Sequence, residues 1–162
     1  IGSIEKYLTD KAWENGWVKP IKVKIENEQS IGIVGAGPAG LACGEELRKK
    51  GYQVTIYDRY DRAGGLLIYG IPNFKLEKHV VERRIKLLKE GGIKFVNNFE
   101  VGKDSTFKEL QSKHDASCLD CSSLNVESLP TSKLFTNFIP PSFKSLILLS
   151  TTCFSSLKFG IP

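Results

Sequence analysis

Methionine is absent from this chain of 162 residues, and histidine occurs only at His79 and His114. No nucleophile accompanies either histidine, so both are more readily explained as structural residues than as catalytic ones. Long apolar runs are missing too, because none approaches the roughly 20 residues that a membrane-spanning helix needs. No stretch has the pattern of a signal peptide. We therefore expect a cytoplasmic protein with no membrane partner.

Cysteine is scarce, and its spacing suits a metal site poorly. Of the four cysteines, Cys118 and Cys121 form a lone Cys-x-x-Cys pair, whereas a structural zinc site usually needs four ligands. Cys43 falls in a predicted helix, where a small packing residue is expected. Cys153 has no evident partner. The sequence therefore predicts no metal site in this chain.

Acidic residues are outnumbered, since 23 lysines and arginines face 18 aspartates and glutamates, for a net charge of +5. The cations are scattered over helix faces such as residues 76–90, without interleaved aromatic residues. A nucleic-acid-binding surface concentrates its basic residues on one face or stripe. We therefore predict no nucleic-acid partner.

An apolar run breaks into three glycines within residues 30–40, SIGIVGAGPAG. The β-branched residues before the glycines are typical of a buried parallel strand. In the spacing Gly35-x-Gly37-x-x-Gly40, the glycines permit a tight turn, close approach of a pyrophosphate and close packing of the next helix. Pro38 suits the first turn of that helix, whose N-terminus attracts phosphate. The stretch predicts a nucleotide-binding loop.

A second predicted strand, residues 53–58, ends in Asp58, 18 residues after Gly40. A carboxylate at this position can accept hydrogen bonds from both ribose hydroxyls of an adenosine. It would repel a 2′-phosphate, so the ligand is predicted to be FAD or NAD and not NADP. The alternative is a β-α-β unit whose glycines only turn the chain.

The loop after the second strand favours a flavin nucleotide. Gly64 and Gly65 occur where a helix would begin in a plain NAD-binding domain. A glycine pair lets the backbone pass close to a long ligand. We therefore predict FAD as the bound nucleotide.

Residues 32–104 resemble the FAD-binding region of the small (beta) subunit of bacterial glutamate synthase, and are similar to the related part of dihydropyrimidine dehydrogenase. The stretch GGLLIYGIPNFKLEK, residues 64–78, is the most specific part of this resemblance. The likeness begins at residue 1 and ends near Ala116. It implies an enzyme that passes electrons from NADPH through FAD and 4Fe-4S clusters to the large (alpha) subunit, where glutamate is made.

The resemblance also implies a set of cofactor-binding residues, but no catalytic residue. They are Gly35, Ala36, Gly37, Pro38, Ala39, Gly40, Asp58, Arg59, Gly64, Gly65, Leu66, Lys75 and Val101. By this resemblance residues 36–40 line the pyrophosphate, Asp58 holds the adenosine ribose and Arg59 flanks the adenosine. Gly65 and Leu66 lie along the flavin side, and Lys75 neutralises phosphate or ribityl oxygens. Val101 contacts adenine through its backbone. For Arg59 and Lys75, a solvated surface cation is an equal alternative.

The sequence changes character near Ala116, because residues 115–162 hold 10 of the 14 serines but one of the 15 glycines. The family's apolar strand and Ala-Thr-Gly turn are not found there. We predict a helix and linker that follow a missing iron–sulfur domain, a truncated α/β Rossmann-like FAD-binding domain, and a divergent tail that is unstructured or frameshifted. These three parts are residues 1–27, 28–116 and 117–162.

Right-handed crossovers predict a parallel sheet with its strands in the order 3-2-1. Without a further strand, the first strand would be an open apolar edge. Two functional interpretations remain. The chain is either a piece of an NADPH-dependent flavoprotein oxidoreductase, from glutamate synthase or a more generic relative, or an FAD-binding truncation that is inactive alone. In both, the NADPH and iron–sulfur sites are expected to lie outside this chain.

Overall fold

The computed structural model describes residues 2–119 of the chain. The helices and strands of this part are α1 (Gly2–Glu14), β1 (Ser30–Val34), α2 (Pro38–Lys49), β2 (Gln53–Tyr57), α3 (Leu66–Tyr69), α4 (Lys78–Glu90), β3 (Lys94–Val96), α5 (Phe107–Ser112) and β4 (Ala116–Leu119). The four strands are parallel and lie in the order β3-β2-β1-β4. The predicted α/β, Rossmann-like fold and the order 3-2-1 are confirmed.

The main core lies between the sheet and the helices α2 and α4. Ile33 and Ile56 face each other in the register of β1 and β2, and both are fully buried. Leu88 of α4 packs in the same cluster. Gly44 lets α2 approach the strands, because a Cβ at this position would lie 2.9 Å from Ile56 Cδ1. These contacts fix the N-terminus of α2 beside the end of β1.

Most of the predicted elements are confirmed, with small differences at their ends. The sequence pair Thr106 and Glu109 predicts a capping box at the start of a short helix, and the structure forms it at α5 with hydrogen bonds of 3.0 and 3.3 Å between backbone N–H groups and side-chain oxygens. The helix predicted from residue 76 begins at Lys78, since a turn precedes it in which Pro72 O accepts from the N–H of Lys75 at 3.0 Å. The one-turn helix α3 was not predicted, because four residues are too few to show a periodicity.

The first strand is not an open edge. Ala116–Leu119 pair in parallel with Ile31–Val34, so the expectation of an exposed edge at β1 is wrong. A parallel ladder joins backbone groups, and the polar Ser117 does not prevent it. Regular structure thus continues three residues past the predicted boundary at Ala116. The rest of the predicted tail, residues 120–162, lies outside the described residues.

Asp115 fixes the start of β4. Its Oδ2 accepts hydrogen bonds from the N–H of Ser30 at 2.7 Å and from the Ser30 hydroxyl at 3.1 Å. These two bonds stabilise the carboxylate and hold the pKa of Asp115 below its usual value. The N–H of Asp115 donates to Ser30 O at 3.0 Å in return, so β1 and β4 begin in a fixed register.

Helix α1 lies outside the core, as none of its residues is buried. Arg83 of α4 holds it through two contacts. Asp10 accepts a hydrogen bond from the guanidinium at 3.0 Å, and the guanidinium lies 4.8 Å from the centroid of the Trp13 ring. The helix is therefore attached by side chains at its C-terminal half.

Candidate nucleotide-binding site

The carboxyl ends of β1 and β2 place the glycine loop, residues 35–40, at one edge of the sheet. Gly35 leaves β1 with a φ of +106°, a conformation that favours glycine, and its N–H donates to Tyr57 O at 2.8 Å. A Cβ on Gly40 would lie 1.9 Å from Gly35 O. The loop is therefore folded so tightly against the start of α2 that position 40 accepts only glycine.

The first turn of α2 presents free backbone donors. Gly37 is the N-cap residue and Pro38 is the first residue of the helix. The N–H groups of Gly37, Ala39 and Gly40 have no acceptor among residues 2–119, and the side chains of Pro38 and Ala39 are exposed. Free donors at the positive end of a helix dipole form a site that suits a phosphate.

Asp58 follows β2 and is a buried carboxylate, 7% exposed. Its Oδ2 accepts a hydrogen bond from the N–H of Ala36 at 2.6 Å, and its Oδ1 accepts one from the N–H of Tyr60 at 2.9 Å. The side chain therefore joins the glycine loop to the loop that follows β2. Each carboxylate oxygen can accept a further hydrogen bond, so a ribose hydroxyl can bind without displacing these contacts.

The glycine pair returns the chain to the glycine loop. The N–H of Gly64 donates to Ala36 O at 2.8 Å. Gly65 has a φ of +51°, and a Cβ on it would lie 2.9 Å from Gly37 Cα. The backbone of the pair thus packs directly on the glycine loop, and a side chain at position 65 would separate the two segments.

Four of the predicted residues are not part of these contacts. Leu66, the first residue of α3, is 71% exposed. Arg59 is exposed and packs on the neighbouring tyrosine ring, and the exposed Lys75 ammonium has no partner in the described part of the chain. Val101 packs in a smaller core cluster around Tyr57. None of these four side chains forms the contacts that join the glycine loop, Asp58 and the glycine pair.

Sequence reasoning missed Lys78. Its ammonium donates a hydrogen bond to Leu67 O at 2.9 Å and another to Ile71 O. A signal was present, because Lys78 is the first residue of α4, and a helix dipole disfavours a cation at that end. A lysine there is unfavourable unless its ammonium finds acceptors elsewhere.

The donor set is of the kind that binds the adenosine diphosphate part of a dinucleotide, in which backbone N–H groups hold a pyrophosphate and a carboxylate holds a ribose. A cleft of about 330 Å³ elsewhere, lined by residues of α2, α4 and the linker, contains neither the glycine loop nor Asp58.

Comparison with known proteins agrees with this geometry. Residues 33–88 match the family of NAD(P)-binding Rossmann-like domains. The NADPH glutamate synthase small chain of Azospirillum brasilense is 62% identical over 116 residues, which are 72% of this chain and 24% of that protein. The small chain from Bacillus subtilis is 53% identical over the same share of each chain. The predicted resemblance to the glutamate synthase small chain is confirmed.

The chain spans about a quarter of the length of these glutamate synthase small chains. Among solved structures, FprA from Mycobacterium tuberculosis matches with a TM-score of 0.53 at 22% identity, over 67% of this chain and 26% of FprA. At that identity the match shows the fold alone.

The site lies inside the region that the Rossmann-like family covers, because residues 33–88 contain the glycine loop, Asp58 and the glycine pair. The description of that family names NAD(P) as the bound nucleotide. The match to this family does not distinguish a flavin nucleotide from NAD(P).

Proposed function

We propose that this chain carries the FAD-binding part of the glutamate synthase small subunit, an NADPH-dependent flavoprotein oxidoreductase. The identity of 62% to the Azospirillum brasilense small chain supports this class. In the whole protein, an NADPH site, 4Fe-4S clusters and the large (alpha) subunit would complete the electron path to glutamate synthesis. This chain would bind the FAD cofactor.

We propose FAD rather than a nicotinamide nucleotide because Gly65 packs closely against Gly37. A plain dinucleotide site needs only the glycine loop and the ribose carboxylate. Here a second backbone segment, at Gly65, packs against the glycine loop so closely that a Cβ on Gly65 would lie 2.9 Å from Gly37 Cα. The exposed Leu66 follows Gly65. A longer ligand that continues past the pyrophosphate would use this extra surface.

The residues of this chain would bind and orient the cofactor. FAD, when bound, supplies the hydride and electron chemistry. The N–H groups of Gly37, Ala39 and Gly40 would hold the pyrophosphate, and Asp58 would hold the ribose while it keeps its bond to Ala36. Arg59, Lys75 and the backbone of Val101 would add contacts at the rim.

A second candidate is an FAD-binding module that does not turn over NADPH by itself. Residues 2–119 contain one glycine loop of this kind, at the end of β1. Hydride transfer needs a nicotinamide held in line with the flavin, and the FAD site already occupies that loop. Anaerobic mixing of the FAD-loaded chain with NADPH tests this candidate. We expect the flavin band to bleach no faster than that of free FAD, whereas rapid bleaching would mean that the chain holds a nicotinamide site apart from the glycine loop.

Equilibrium titration with FAD and NADP tests the proposed ligand. We expect FAD to bind more tightly, because the Asp58 carboxylate repels a 2′-phosphate. Asp58→Ala should weaken FAD binding by about tenfold or more, as one charge-assisted hydrogen bond is worth that much. Glu90→Ala, an exposed carboxylate at the end of α4, is the matched control. Tighter binding of NADP than of FAD would overturn the proposal.

No helix among residues 2–119 is long and apolar enough to cross a membrane. The cytoplasmic location expected from the sequence stays part of the proposal, together with the large-subunit partner.

A further inference from the structure

We infer that Lys78 is a positioning residue for the flavin-side loop, which we define as residues 64–71. The inference rests on the proposed function, because it assigns the loop to FAD. Lys78 is not among the residues that the family resemblance implies as cofactor contacts. It acts on the loop from behind, through two backbone carbonyls.

The flavin-side loop needs such support because its only regular element is one helical turn. An isolated helix of this length is unstable in water. At the start of the loop, Gly64 is bound to Ala36 of the glycine loop by the hydrogen bond of 2.8 Å. In the middle, Ile68 is 5% exposed and packs in the main core with Val81 of α4. These contacts fix the first half of the loop.

Lys78 fixes the second half. The last carbonyls of a helix have no partner within it, and here Leu67 O of α3 accepts from the Lys78 ammonium at 2.9 Å. The same ammonium donates to Ile71 O, beyond the end of α3. Hydrogen bonds from an ionised donor are stronger than neutral ones. One side chain thus joins the helical turn to the segment that leaves it.

The position of Lys78 argues that this contact has a function beyond helix stability. Lys78 is the first residue of α4, and the first turn of α4 contains no acidic residue. A cation at this end opposes the helix dipole. The helix dipole of α4 therefore disfavours Lys78, and the favourable contacts of this side chain are those with the loop.

The consequence for the ligand is geometric. If the carbonyls of Leu67 and Ile71 are released, the turn of α3 loses its attachment to the start of α4, and the exposed Leu66 at its first position becomes freer to move relative to Gly37. The ammonium of Lys78 would thereby keep the flavin side of the site in register with the pyrophosphate side. A pre-positioned loop raises affinity because less ordering is needed on binding.

The test combines amide hydrogen exchange without FAD and an FAD titration, both on the full 162-residue chain. Lys78→Met should speed exchange in the peptide 66–71 and leave the core strands unchanged. It should weaken FAD binding by about tenfold, the loss expected for a charge-assisted hydrogen bond. Lys78→Arg keeps the donors and should restore most of the affinity. Lys86→Met is the control, since Lys86 is on the same helix with 79% of its side chain exposed.

Two results would overturn the inference. If Lys78→Met leaves exchange in the peptide 66–71 unchanged, Lys78 does not hold the loop. If the variant speeds exchange throughout the chain, or if Lys78→Arg binds FAD as weakly as Lys78→Met does, its role is general stability. Failure of the wild-type chain to bind FAD would contradict the proposed function instead, while the exchange measurement would still decide whether Lys78 orders the loop.

Discussion

At the scale of single residues, two buried polar atoms on one face of the sheet have no hydrogen-bond partner among the described residues: Ser117 Oγ and His114 Nδ1. Both residues adjoin Gly32 of β1. Ser117 is its partner in the ladder with β4, and a Cβ on Gly32 would lie 2.6 Å from His114 Cδ2. Because Gly32 has no side chain, β1 leaves room for the imidazole ring of His114. The Nε2 atom of this ring lies 2.9 Å from the hydroxyl oxygen of Tyr57.

Ser117→Val should stabilise the protein. A buried hydroxyl without a partner loses its hydration on folding, and valine is well suited to a strand. We expect the free energy of unfolding to rise by about 1 kcal/mol, measured by urea denaturation. Ser117→Ala, which removes the hydroxyl without adding methyl groups, should show part of the gain. A loss of stability in both variants would mean that the hydroxyl has a partner.

His114 should make stability depend on pH. Burial lowers the pKa of His114 below its ordinary value of 6.5, so the neutral ring is favoured in the folded state. The stability that the neutral His114 ring contributes is therefore fully present above about pH 6.5, and it is lost as the pH falls through the lower folded-state pKa. We expect stability to decrease from pH 7.5 to pH 5, and His114→Gln to reduce that decrease. Equal pH dependence in both proteins would exclude His114 as the cause.

At the scale of elements, the structure joins three short segments into one site: the glycine loop, the turn at Asp58 and the flavin-side loop. Asp58 bonds to Ala36, and Gly64 bonds to the same residue from the other side. Ala36 is fully buried. The glycine loop is thus held from two directions, while the N–H groups of Gly37, Ala39 and Gly40 have no acceptor among residues 2–119.

Gly65→Ala should disrupt this arrangement more than an alanine at another glycine of positive φ. The backbone φ of +51° disfavours alanine, and its Cβ would lie 2.9 Å from Gly37 Cα. Gly16→Ala is the control, because its φ is +61° but its Cβ would meet only Lys19 Nζ, at 3.8 Å. Gly16→Ala should lose about 1–2 kcal/mol of stability, measured by urea denaturation, and Gly65→Ala should lose more because its Cβ also clashes with backbone. Only Gly65→Ala should also lose FAD affinity, and equal FAD binding by the two variants would contradict the packing role.

The elements that sequence reasoning identified have local signals. The glycine spacing marks the end of β1 and the start of α2, and the pair Thr106 and Glu109 marks the start of α5, because each signal acts within one turn of chain. Strand β4 has no such signal. Its pairing depends on backbone groups 85 residues apart, as in the pair of Ile31 and Ala116. Lys78 was missed although it begins α4, because the acceptors of its ammonium, Leu67 O and Ile71 O, lie outside that helix.

At the scale of the whole molecule, β4 closes the side of the sheet that would otherwise leave β1 exposed. It contributes one of the two ladders that bury the central strand. Exposed apolar strand edges promote aggregation. The described domain therefore needs residues up to Leu119, although the likeness noted in the sequence ends near Ala116.

Two shortened chains test the contribution of β4. A chain of residues 1–119 retains the strand, and a chain of residues 1–115 lacks it. We expect the longer chain to unfold cooperatively at a higher temperature and to aggregate less, because its β1 is paired on both sides. Circular dichroism during heating and light scattering provide the comparison. Equal melting and scattering of the two chains would show that β4 adds nothing to the fold.

The position of FAD on the protein can be mapped most directly by amide NMR spectra of the isotope-labelled chain during FAD addition. If the glycine loop binds the pyrophosphate, the largest shifts will occur at the amides of Gly37, Ala39 and Gly40, whose N–H groups are free in the described structure, and at Gly65 beside them. Shifts concentrated instead in the cleft between α2 and α4, around Lys49 and Arg84, with these glycines unmoved, would contradict an FAD site at the end of β1.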